Sequence, residues 1–130
     1  MKYNIFILFR YLYYLSLIIL LILYLFPGSL IGYLLYGELG KQPNLISNPI
    51  GTSINHLIYF IWLSTSALAL RAKHINLFNN IYLIFLFSVI LELSHFIIPN
   101  RAFEYNDLFA NMLGVLIGLT VYKIFKWIKF

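Results

Sequence analysis

A chain of 130 residues that is 62% hydrophobic and only 10% charged lacks the polar side chains to cover a water-exposed surface, which excludes a soluble globular domain. With no cysteine, disulfides, thiolate catalysis and Cys-ligated metals are also excluded. The formal charge of +5 would suggest nucleic acid as the partner of a soluble protein, but here the cations flank apolar runs, so membrane topology accounts for them and no nucleic-acid partner is expected.

Four apolar runs, at 5–26, 54–70, 81–98 and 108–125, each approach the roughly 20 residues that a helix needs to cross hydrocarbon. They are too long for strands and do not alternate, and an open sheet edge would leave backbone groups unsatisfied in lipid. The expected fold is therefore all-α: four transmembrane helices in a small bundle, with 1–130 forming a single membrane domain. The longest connection, 27–53, is too short to bury a core of its own.

The first run follows Lys2 and contains Arg10, and it ends at Pro27-Gly28-Ser29. Its length favours an uncleaved span over a signal peptide. The glycine-studded segment GSLIGYLLYGELG that follows is expected to lie along the outer interface or to dip in as a re-entrant turn. The second run carries His56 in its first turn and Tyr59 one turn on, where both can face inward.

In the third run Glu92 stands six residues before Ile98, about 9 Å along a helix, and so lies inside the hydrocarbon zone. An ionised carboxylate at the membrane centre costs at least about 2.5 kcal/mol, so Glu92 is expected to face the bundle and hold a partner: Arg101, His95, Asn111 or a proton. Glu92, His95, Phe96 and Pro99 form one stripe of this helix. Asp107, Asn111, Gly114 and Gly118 form a stripe of the fourth, where the two glycines permit close helix packing. The short loop between these helices predicts an antiparallel hairpin with the two stripes opposed. Asp107 also suits a helix N-terminus, and Arg101 suits an interfacial contact with lipid phosphate.

Lys2, Arg10, Arg71, Lys73, Lys123, Lys126 and Lys129 fall on one side of such a bundle, and Lys41 and Arg101 on the other with Glu38, Glu104 and Asp107. The positive-inside rule then puts both termini in the cytosol and the polar loop outside.

Glu92, Pro99, Arg101, Asp107, Asn111, Gly114 and Gly118 resemble, in type and spacing, the C-terminal signature of the VanZ-like family of bacterial membrane proteins, roughly E-x-x-Q, P-x-R and D-x-x-x-N-x-x-G-x-x-x-G. HLIYF at 56–60 resembles the family's histidine-plus-aromatic start to its second helix. His95 stands where the family usually has Gln, and Thr52-Ser53 where an Asp-Lys pair often precedes the histidine. The resemblance implies a multi-pass protein of the bacterial cytoplasmic membrane with four helices, in a family whose named member is linked to resistance to the glycopeptide teicoplanin.

These residues predict a polar pocket open to the outer leaflet, formed by His56, Glu92, His95, Arg101, Asp107 and Asn111. Its expected ligand is an anionic membrane lipid or a lipid-linked glycan intermediate of the envelope. Arg101 would take the phosphate, Asp107 and Asn111 would orient polar head atoms, and Glu92 would tune the pocket or accept a proton. The rival readings are an enzyme acting on such a lipid through Glu92 and a histidine, and a non-catalytic scaffold or subunit of a membrane protein partner. His56, His95, Glu92 and Asp107 have permissible metal-ligand types but lack the local H-x-x-x-H or H-E-x-x-H spacing, so no metal and no cofactor are assigned. GVLIG at 114–118 is a helix-packing pattern rather than a phosphate cradle.

Overall fold

The computed structural model describes residues 2–43, 53–71 and 80–128, which form five helices and no strand. Thr52, Lys73 and Lys129 lie outside the described residues. Helix α1 (Lys2–Leu25) has no glycine or proline in its 24 residues. It stops where Pro27 disfavours helical backbone at Phe26 and Gly28 takes φ 90°.

The glycine-studded segment folds as a seven-residue helix, α2 (Leu30–Tyr36). Ser29 caps it by accepting from the Gly32 amide at 2.9 Å, and Gly37 ends it in the left-handed conformation at φ 72°. The Ser29 amide donates to the Leu39 carbonyl at 2.6 Å, which folds the following residues back over the helix. A side chain at position 32 would collide with the Lys41 carbonyl, so only glycine fits there. Tyr33, Leu34, Leu35 and Tyr36 are exposed, an apolar surface suited to the membrane boundary.

Helices α3 (Ser53–Arg71), α4 (Ile81–Ser94) and α5 (Tyr105–Ile128) complete the bundle. Asn80 caps α4 through the Tyr82 amide at 3.1 Å. Contacts among Tyr24, His56, Glu92 and Asn111 bring the ends of α1 and α4 to the level of the starts of α3 and α5. Thus α3 and α5 run parallel, with α1 and α4 antiparallel to them. Tyr13, Leu17 and Leu20 of α1 pack with Phe60, Leu63 and Ala67 of α3, Ile84 and Leu91 of α4, and Val115 of α5. Apolar residues such as Ile5, Leu8, Ile18, Leu86 and Leu116 face outward, as a hydrocarbon solvent requires. Asn4–Leu25, Ser53–Leu70 and Tyr105–Ile128 are long and apolar enough to cross a membrane.

Two expectations are corrected. The third apolar helix does not run to Ile98: it ends at Ser94, after 14 residues. Beyond it the chain tightens into three-residue turns, with Phe96 bonded to Leu93 at 3.1 Å and Ile97 to Ser94 at 3.0 Å. Pro99 excludes a helical continuation at Ile98, and Asn100 turns the chain with φ 58°. Phe96 and Pro99 consequently leave the inward stripe and are exposed, with Phe96 stacked on Phe103 at 4.6 Å.

The second correction concerns Gly114 and Gly118, which face α3 rather than the preceding helix. A Cβ at Gly114 would lie 2.7 Å from the Leu57 carbonyl oxygen and 2.8 Å from Phe60 Cβ, and one at Gly118 would collide with Ser64 Oγ. Thr65 Oγ1 donates to the Gly118 carbonyl at 3.3 Å across the same seam. Adjacency in sequence favoured the hairpin partner, but the close backbone approach that glycine permits is used against the parallel neighbour.

Candidate functional site

The polar residues meet where the four long helices share a level. Glu92, in the last turn of α4, is fully buried. Its Oε1 lies 3.2 Å from His95 Nδ1 and 3.4 Å from the Glu104 amide, and its Oε2 lies 3.5 Å from Asn111 Nδ2 and 3.9 Å from His56 Nδ1. Each of these groups can donate a hydrogen bond.

Asp107, in the first turn of α5, is also buried. Ser53 Oγ donates to its Oδ1 at 2.5 Å, and its Oδ2 faces His56 Nε2 at 3.6 Å. The acid sits at the positive end of the α5 helix dipole.

Tyr24, which sequence reasoning missed, joins the cluster from the last turn of α1. Its hydroxyl lies 2.6 Å from His56 Nδ1 and donates to Asn111 Oδ1 at 2.9 Å. Its ring stacks on His95, with centroids 5.3 Å apart. The available signal was its depth: the outer end of the first span must share a level with the first turns of the second and fourth. Ser53 was read as a departure from the family pattern, yet it supplies the Asp107 hydrogen bond. Tyr59 does turn inward, but its hydroxyl donates to the Ser16 carbonyl at 2.5 Å rather than to the polar cluster.

Arg101 stands partly apart from the carboxylates. Its Nε donates to the Phe26 carbonyl at 3.3 Å and its Nη2 to the Leu23 carbonyl, so it caps the C-terminal end of α1. Burial lowers its pKa, while Tyr24, Glu92 and Asp107 favour its charge. Burial also raises the pKa of Glu104, aided by the charges of Asp107 and Glu92.

Beside the cluster lies a cavity of about 110 Å³, whose lining combines His56, His95 and Arg101 with Leu20, Leu23 and Leu30. His95 is 4% exposed and lines this cavity, and its Nε2 has no hydrogen-bond partner among the described residues. All six residues expected to form a pocket are therefore neighbours, but they divide into a buried network of Glu92, Asp107 and Asn111 and a cavity wall of His56, His95 and Arg101. Of the four metal-ligand candidates, His56, Glu92 and Asp107 offer ligand atoms within 4.8 Å of one another.

No curated protein and no solved structure matches the chain. The VanZ/LLP1 family matches residues 11–126, a span that takes in the latter part of α1, nearly all of α5 and every residue of the polar cluster. The chain belongs to the VanZ/LLP1 family.

Proposed function

We propose that this protein is a four-span component of the bacterial cell envelope, with both termini cytosolic, that holds the headgroup of an anionic lipid or lipid-linked envelope intermediate in its outward-facing cavity and thereby influences glycopeptide susceptibility. The observation that carries the reading is the cavity wall, where Arg101 and two histidines stand against leucines at one end of a membrane bundle. Such a wall suits an amphiphile: a cation for a phosphate, hydrogen-bonding nitrogens for hydroxyls, and apolar sides for the first methylenes. A volume of about 110 Å³ accommodates a headgroup rather than a whole lipid, leaving the chains to the surrounding bilayer. In this reading α4 completes its crossing with the turns at 95–98.

Native mass spectrometry of the protein purified in mild detergent tests the proposal. A phosphate-bearing lipid is expected to remain bound to the wild type and to be lost from Leu23→Trp, which fills the cavity wall without touching the buried carboxylates. Equal lipid occupancy in both proteins, or none in either, overturns it.

One observation favours a second reading, in which the protein acts chemically on that lipid. His95 Nδ1 is held by the Glu92 carboxylate while Nε2 has no partner among the described residues, the arrangement of a histidine general base oriented by an acid. Turnover of the co-purified lipid by the wild type but not by His95→Gln would select this reading.

A further inference from the structure

The hydrogen-bond donors around His56 impose a constraint that the lipid-binding reading does not use. Tyr24 has one hydroxyl proton and gives it to Asn111 Oδ1, because Asn111 turns its Nδ2 toward Glu92. The 2.6 Å contact between Tyr24 Oη and His56 Nδ1 must then be donated by the histidine. That assignment leaves His56 Nε2 with its lone pair 3.6 Å from Asp107 Oδ2, unless a positive species lies between them.

The two carboxylates are arranged alike. Asp107 uses Oδ1 to accept from Ser53 and turns Oδ2 toward His56. Glu92 uses Oε1 for His95 and the Glu104 amide and turns Oε2 toward His56, with Asn111 Nδ2 at the 3.5 Å limit of a hydrogen bond. In each acid one oxygen is anchored by neighbouring donors and the other faces the imidazole, Asp107 at Nε2 and Glu92 at the Nδ1 edge. This is how metal ligands are oriented by their surroundings, including a histidine whose second nitrogen donates away from the ion.

We propose that His56, Glu92 and Asp107 form a binding site for a divalent cation of the zinc class. The three ligand atoms lie within 4.8 Å of one another, on three different helices. Tetrahedral ligands at zinc bond lengths of about 2.0–2.2 Å stand about 3.4 Å apart; the 3.6 Å histidine–aspartate contact is close to that, and an ion would draw the wider pairs inward from as much as 4.8 Å. One imidazole and two carboxylates supply a mixed nitrogen and oxygen set that suits zinc. The ion would also neutralise two carboxylates buried in the protein.

A second observation points the same way. His95 is more than nine-tenths buried and lines the cavity that His56 also lines, and its Nε2 has no hydrogen-bond partner among the described residues. Three protein ligands leave the fourth position of a tetrahedral ion to water or ligand, and His95 Nε2 is the acceptor left for a water held there. The site stands whether or not the cavity holds a lipid.

The test uses the full chain in detergent, stripped with a chelator and titrated with ZnCl2, with metal content measured after desalting and bound lipid measured in parallel. One zinc per chain is expected for the wild type, with stoichiometric binding lost in His56→Gln and Asp107→Asn. Tyr24→Phe should keep the stoichiometry and weaken affinity by about 10- to 100-fold, because it removes only the group that orients His56. No stoichiometric zinc in the wild type, or undiminished binding by His56→Gln, overturns the site. If the ligand variants do not fold, Co2+ added to the wild type decides: visible absorption typical of a tetrahedral ion supports the site, and its absence overturns it. Lipid retention without zinc would reject the metal site alone, and zinc without lipid would reject the lipid reading alone.

Discussion

Tyr24 links three helices through one hydroxyl, and its importance comes from burial rather than from any motif. Removing that oxygen in Tyr24→Phe leaves Asn111 Oδ1 without its donor and His56 Nδ1 without its acceptor, in a region where little water can replace them. The expected loss is about 1–3 kcal/mol of unfolding free energy, measured by denaturant titration in detergent. Wild-type stability in this variant would mean that the two groups find other partners. Arg101 gives a separate expectation, because its guanidinium closes the end of α1 as well as facing the cavity. Arg101→Gln should speed hydrogen exchange of amides around 23–28, whereas a residue that only bound lipid phosphate would leave that exchange unchanged in lipid-free protein. Sequence suggested only an interfacial contact for Arg101, because the carbonyls it meets at the end of α1 are more than seventy residues away in the chain.

At the scale of elements, the seam between α3 and α5 is the tightest contact, and it depends on two missing side chains. Gly114→Ala places a methyl group 2.7 Å from the Leu57 carbonyl, which belongs to helix backbone and cannot swing aside. Forcing the helices apart is expected to cost about 1–3 kcal/mol, seen as a lower melting temperature in detergent. Gly40→Ala is the control, since a Cβ there meets nothing within 4 Å, and it should change stability by no more than about 0.5 kcal/mol. Equal melting of the two variants would show that the seam can open without cost. The glycine stripe itself was legible from its spacing, but its partner was not. Four-residue periodicity fixes which residues share a face and says nothing about which neighbour that face meets.

For the whole molecule, the cations described by the structure are distributed by helix direction. Arg10 lies toward the start of α1, Arg71 at the end of α3, and Lys123 and Lys126 toward the end of α5, all at the end of the bundle opposite the polar cluster. Under the positive-inside rule, a reporter fused to either terminus should read as cytosolic and one inserted at Glu104 as external. A C-terminal reporter active only outside would show that α4 does not cross, as its 14-residue length alone would permit. In that topology the cluster and its cavity would lie at the outer face, so the topology map also bears on which leaflet could supply a ligand.

Composition and periodicity by themselves determined that the chain is helical, that it suits a membrane and that its polarity gathers at 92–111, because hydrocarbon permits few backbone solutions and penalises every stray charge. The seven-position pattern from Glu92 to Gly118 likewise indicated the family, since those residue types at those spacings do not depend on knowing the fold. What only the tertiary structure decided was which side chains meet. Tyr24 and Ser53 entered the cluster, Phe96 and Pro99 left the inward stripe of the third apolar run, and Gly114 and Gly118 turned to α3. The physical reason is that a membrane solvent constrains each helix separately, whereas helix partners are chosen by local shape and by the satisfaction of a few buried polar atoms, which are contacts between residues far apart in the chain.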